Sequence, residues 1–195
     1  MPTGVREAQR IETRARLFDA AVEEIGRRGL AGADVSAIVA AAGVARGTFY
    51  FHFPTKEHVV VELERNEEDR IVAELGEKGA SSNDLAALLT RLVQRALDAE
   101  KRLGPTLFRD MLGLHFSPSR PVDDTPSEHP VAEYVIASII KAQRAGQVQK
   151  DADAGELGVI FMTGLFALLS TADGHSRTSL LDRYVKTIVR GMETR

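Results

Sequence analysis

The chain has 195 residues, a formal net charge of −3 and no cysteine, which excludes disulfides, thiolate metal sites and cysteine nucleophiles together. At 44% hydrophobic and 27% charged it has the make-up of a soluble globular protein, long enough for one large domain or two small ones. The first residues lead into a charged helix and not into the apolar stretch of a signal peptide. No apolar run is expected to span a bilayer, so the expected location is the cytoplasm, with no membrane partner.

Strand signals are nearly absent and helical periodicity is common, which predicts an all-α fold of about nine helices. Phe18, Ala21, Val22 and Ile25 mark a first helix, closed by Arg27, Arg28 and Gly29. Asp34 can cap a second, with Val35, Ile38, Val39 and Ala42 on its buried face. Gly43 supplies the backbone freedom for a turn, and a short third helix follows over Ala45 to Phe51. Val44 and Phe49 can close a small three-helix core, and Phe51 and Phe53 are read as packing residues. After the Phe53-Pro54-Thr55 break, a fourth helix runs from Thr55 to about Gly76, with a polar middle that suits an exposed connecting helix.

A break over Gly79 to Asn83 precedes a fifth helix marked by Leu85, Leu88, Leu89, Leu92 and Ala96. Pro105 opens a sixth, ending near Phe116, and residues 117–129, with three prolines, read as a mobile loop. Pro130 starts a seventh, stopped near Gly146, and the last two cover about Ala154 to Ala172 and Arg177 to Arg190. The expected domains are 1–58, a helix-turn-helix domain, and 59–195, a larger helical domain. No flexible linker parts them, so the fourth helix can transmit motion.

Charge is uneven along the chain: residues 1–56 carry eight Arg and Lys against six Asp and Glu, the remainder seventeen against twenty-two. A mildly basic N-terminal part suits phosphate attraction, which depends on where the cations lie. Helix, glycine turn and short exposed helix form the layout of a DNA-binding helix-turn-helix. On the third helix Arg46 can reach guanine edges or a phosphate, Gly47 permits close approach, and Thr48 and Tyr50 offer hydroxyls. His52 and Ser36 are further candidate contacts. Lys56 opens the fourth helix, where its ammonium adds to the positive helix end. Arg6, Arg10 and Arg14 can lie over a neighbouring groove.

The segment Gly43 to Glu57, within about Ile11 to Val61, resembles the tetracycline-repressor (TetR-like) family of one-component regulators. That resemblance implies backbone contacts for Thr48, Tyr50 and Lys56. Two positions depart from the family pattern. Ala45 stands where serine or threonine is common and can neither cap the helix nor donate to a phosphate. Asp34 stands where threonine is common, and its charge would repel a nearby phosphate.

A small helix-turn-helix domain binds weakly alone, and a dimer would set two recognition helices about 34–36 Å apart in successive grooves. Gly164 allows close helix approach, and Leu157, Phe161, Leu165 and Leu168, with Leu181, Tyr184 and Ile188, form stripes beyond one narrow face. These residues are the expected homodimer interface. Phe108, Met111, Leu112, His115, Phe116, Tyr134 and Met162 could line an apolar effector pocket, with Arg109 as a polar candidate; plain core is the other reading.

The expected partners are double-stranded operator DNA, a small-molecule effector and a second copy, with no cofactor and no metal. Among His52, His58, His115, His129 and His175 no HxxxH or HExxH pair occurs. Asp123-Asp124 reads as a solvated turn, and no nucleophile has a base at an interpretable spacing, so catalysis is not expected. A helical interaction adaptor that has lost DNA binding is the alternative that Ala45 and Asp34 keep open.

Overall fold

A computed structural model describes residues 3–78, 84–121, 129–171 and 176–193. Among them are nine helices: α1 (Thr3–Gly32), α2 (Val35–Ala42), α3 (Arg46–His52), α4 (Lys56–Lys78), α5 (Leu85–Leu103), α6 (Pro105–Leu114), α7 (Pro130–Arg144), α8 (Ala154–Thr171) and α9 (Ser176–Met192). The break expected over Gly79 to Asn83 lies outside the described residues, as do 122–128 of the expected proline-rich loop. The chain forms two compact units. One takes in residues up to Glu64 together with the stretch from Leu103 through α6; the other takes Arg65 to Arg102 and the chain from α7 onward.

In the first unit, α1 buries Leu17, Ala21 and Ile25 completely. This stripe is centred one residue away from the expected one, so Phe18 and Val22 flank it, half-buried. The helix breaks at Gly29, whose φ of 74° lies in the left-handed region. There the Leu30 N–H donates to the Asp110 carboxylate of α6 at 2.5 Å, tying the end of α1 to α6. Glu24, buried near that end, takes ion pairs from Arg27 and Arg28 and accepts from the Asp34 N–H at 3.3 Å.

At the first-unit end of α4, the buried Glu64 carboxylate meets the His115 ring and accepts from Arg120 at 2.8 Å. Burial pushes the Glu64 carboxyl upward, but the hydrogen bonds and charges of His115 and Arg120 outweigh it and hold the group below its ordinary range. Losing one partner here would leave a buried charge uncompensated, which costs about 3–5 kcal/mol. Glu64 therefore fixes α4 against the segment that follows α6.

In the second unit α5 buries Leu85, Leu89, Leu92, Val93, Ala96 and Ala99. Its side toward α4 carries ion pairs, Arg102 to Glu67 at 2.7 Å and Arg95 to Glu74 at 3.2 Å. Arg91, one turn before Arg95, has Nε and Nη2 buried with no acceptor. Arg120 and Arg177 also have a buried nitrogen without a partner, but each reaches a carboxylate through another nitrogen.

α8 packs against α7 and α9. Small residues permit both approaches: a Cβ at Gly158 would stand 2.7 Å from Ile136 Cγ1 of α7, and one at Gly164 would run into the Tyr184 ring and hydroxyl of α9. Tyr184 stacks on Phe161 with ring centroids 5.7 Å apart and donates to the Phe161 carbonyl at 2.7 Å. Burial pushes the Tyr184 hydroxyl up to about 12, so it keeps its proton for that bond.

One expectation needs correction. α8, 18 residues long, is by length and composition apolar enough to cross a membrane, contrary to the expectation that no such run exists. The physical reason is its second apolar face. One side buries Phe161, Met162, Leu165 and Leu169 within the chain, while Val159 and Ile160 on the other are 63% and 55% exposed.

Candidate nucleic-acid interface

α2 starts at Asp34, whose carboxylate accepts from the Ser36 N–H at 2.8 Å and has an extended backbone suited to a cap. The Ser36 N–H bond, above burial and nearby arginines, holds this carboxyl below its ordinary range, so it is an anion at neutral pH. α2 ends at Gly43, with φ 66° and ψ 37°, and its N–H points back at the last turn of the helix. Val44 then donates to Val39 O at 3.0 Å, and the chain re-enters a helix one residue past Ala45. Ala45 occupies the cap position with an extended backbone and no side-chain bond, so Thr48 relies on the Ala45 carbonyl alone, at 2.9 Å.

Two phenylalanines fix the pose of α3. Phe49 and Phe53 are buried, with ring centroids 5.9 Å apart, and Phe18 of α1 lies 6.4 Å from Phe53. The Arg14 guanidinium lies over the Phe53 ring at 4.6 Å and pairs with both carboxylate oxygens of Glu62. Arg14 thus serves the fold, a use the sequence did not reveal because Glu62 is 48 positions away.

With Phe49 inward, the opposite face of α3 is open. Arg46, Gly47, Tyr50 and Phe51 are exposed there, and Thr48 and His52 lie half-buried at the sides. Arg46 gathers three of the expected contacts: its Nη1 donates to Ser36 Oγ at 2.9 Å and its Nη2 makes a long 3.4 Å contact to the Tyr50 hydroxyl. Its guanidinium also lies 5.9 Å from the Tyr50 ring centre. This preorders a charged side chain that would otherwise swing freely. A Cβ at Gly47 would meet nothing within 4 Å, so the surface beside Arg46 is open. Burial first, then Arg14 and Arg10, push the His52 ring below its ordinary value, so it is neutral at pH 7 and offers one donor and one acceptor.

Other expected residues stand differently. Lys56 opens α4, but its ammonium donates to the carbonyls of Leu30 and Ala33, both at 2.8 Å, with Ala31 at 3.5 Å. Two of its three donors thus hold the end of α1. Arg10 pairs with Glu7 on the exposed start of α1, and Arg6 is exposed on the same stretch. Phe51, read from sequence as a packing residue, is 73% exposed, the opposite of that reading. The signal was in the spacing: two residues past Phe49 a helix has turned about 200°, away from the core.

The expected pocket residues fall in both units. Phe108, Met111 and Leu112 are buried core of the first, while Arg109 and Phe116 are exposed and His115 binds Glu64. In the second, Met162 is buried and Tyr134 half-buried. Of the expected dimer residues, Phe161, Leu165 and Leu181 are already covered within the chain, Gly164 faces Tyr184, and Leu157, Leu168 and Ile188 are half-buried.

Residues 17–63 match the family model described as bacterial regulatory proteins, tetR family. The chain is 33% identical over 79 residues to the fatty acid metabolism regulator protein of Bacillus subtilis, covering 38% of this chain and 41% of that one. It is 36% identical over 86 residues to the HTH-type transcriptional repressor KstR2 of Rhodococcus jostii, covering 44% and 42% respectively. The chain thus spans about two fifths of the length of these curated relatives. The fold is similar across nearly the whole chain to Thermus thermophilus FadR, a TetR-family repressor solved with lauroyl-CoA: TM-score 0.78, 21% identity, 93% of this chain and 96% of that one.

If Lys56 anchors the end of α1, Lys56→Ala removes charge-assisted bonds worth about 1.5–3 kcal/mol. Urea unfolding should report a loss of roughly 2 kcal/mol; a change within about 0.5 kcal/mol, the range of an ordinary surface substitution, would contradict this role.

Proposed function

The chain belongs to the TetR family of bacterial regulatory proteins, and from that premise we propose that it is a sequence-specific DNA-binding transcriptional regulator, a repressor released from its operator by a small molecule. The observation that carries this reading is the exposed face of α3, where Arg46 is held between Ser36 and Tyr50 beside the open surface of Gly47. The face is narrow enough for a major groove and offers a guanidinium for guanine or phosphate and hydroxyls for phosphate oxygens. Asp34, whose charge spoke against DNA, is occupied in capping α2. The family is one of regulators and not of enzymes. Residues 1–58 are the DNA-binding part on this reading, 59–195 hold the effector and the dimer contact, and the protein works in the cytoplasm.

Thr48, Tyr50 and one proton of Lys56 contact the backbone, His52 and Ser36 flank them, and Arg6 and Arg10 extend over a neighbouring groove. Two copies bind a palindromic operator. α8 supports the pairing, because a helix apolar on two faces needs cover on both, and Val159 and Ile160 lack it within the chain. The effector acts by population shift, favouring a state in which the two recognition helices are wrongly spaced. α4, whose residues belong in part to each unit, carries the movement.

Arg91 supports an effector with an acidic group. A guanidinium cannot shed its charge, and burying two of its nitrogens without an acceptor is costly, so a bound carboxylate or phosphate would relieve it.

Tyr50→Ala should weaken binding to all duplexes and flatten the dependence of log affinity on log salt by about one unit, since one phosphate contact is lost. An unchanged slope in binding titrations from low to high salt would remove Tyr50 from the phosphate contacts. Ile160→Glu should give a folded monomer by light scattering, with thermal stability kept; a dimer of unchanged size would refute the α8 face. Lauroyl-CoA at about a hundred times its Kd should stabilise the wild type by roughly 2.7 kcal/mol. Arg91→Gln should lose most of that gain in thermal shift, and equal stabilisation of both proteins would contradict the acidic-group assignment.

A further inference from the structure

On the exposed face of α3 two rows run side by side, each from one residue to the residue four later, which a helix sets on one face. The first row, Arg46 and Tyr50, is polar and internally bonded. The second is Gly47 and Phe51, and it is apolar. Phe51 is the most exposed large hydrophobic side chain among the described residues. Its single ring contact is edge-on to His52, 5.1 Å between centroids, which leaves the rest of the ring uncovered. The Phe49 core therefore does not need Phe51, and nothing else in its own unit covers it. Beside it, the missing side chain of Gly47 leaves open surface.

An apolar ring between a glycine and a guanidinium on a groove-facing surface has one complementary group among the base edges. Thymine alone of the four bases presents a methyl group in the major groove, and phenylalanine is a side chain that meets it. A phenyl ring has no hydrogen bond to give a phosphate, so it adds selectivity without adding to the salt dependence.

Resting on the DNA-binding reading above, we propose that Phe51 is a specificity-determining residue that reads the C5-methyl group of a thymine at one fixed position in each operator half-site. Arg46 supplies the polar reading next to it, and Gly47 lets the helix come close enough for the ring to reach the base.

The test uses the full-length protein and the duplex it enriches from a random DNA pool. The enriched half-site should hold an invariant thymine, and Phe51→Ala should lose preference at that position alone. Replacing that thymine by deoxyuracil removes only the methyl group. The wild type should then bind about fourfold more weakly per methyl removed, the factor that about 0.8 kcal/mol per buried carbon group represents. Phe51→Ala should bind both duplexes equally, and Phe51→Leu, still apolar, should keep part of the discrimination. The salt slopes of all three proteins should coincide. Equal binding of thymine and deoxyuracil duplexes by the wild type would overturn the assignment while leaving DNA binding intact. Failure of the wild type to enrich any duplex would overturn both together.

Discussion

A helix of seven residues cannot hold itself together in water, so the position of α3 depends on what packs beneath it. Here that is the Phe49 and Phe53 pair, seated against Phe18 of α1 and entered through the left-handed turn at Gly43. Ala45 contributes no side-chain cap, which throws more of the burden onto the two rings. Once Phe49 is buried, helix geometry decides the rest: Arg46, Gly47, Tyr50 and Phe51 must face outward. The proposed chemistry of the surface follows from that one act of packing.

Charged groups then fix the pieces around this core. Lys56 closes the carbonyls at the end of α1, Asp110 of α6 takes the Leu30 N–H, and Glu64 of α4 is held by His115 and Arg120. These links tie α4 and α6 into the same unit as the helix-turn-helix. They also give α4 a defined starting point, which a helix proposed to carry motion requires. In the second unit the α8 and α9 seam is as specific, since Gly164 admits the Tyr184 ring and Tyr184 bonds the α8 backbone.

The helices were legible because their signals are local: the apolar period, the Asp34 cap, Gly29, Gly43 and the prolines that open α6 and α7. The candidate reading face was legible for the same reason, since Arg46, Thr48 and Tyr50 stand next to the turn that exposes them. What escaped was set by partners far apart in the chain. Lys56 reads as a phosphate ligand until Leu30 and Ala33 are brought to it, and Arg14 as an arm residue until Glu62 and Phe53 are. Phe161, Leu165 and Leu181 carry the same apolar signal whether they meet their own chain or another, so periodicity could not separate seam from interface. Phe51 failed for a different reason: average burial of phenylalanine was weighed above its angle on the helix.

The central claim is that the exposed face of α3, used twice, reads base pairs. The most direct measurement is selection of duplexes from a random DNA pool by the purified protein at near-physiological salt. Enrichment of an inverted repeat, with half-sites spaced for successive major grooves about 34–36 Å apart, is the result this account requires. A folded dimeric preparation that enriches no sequence would contradict it.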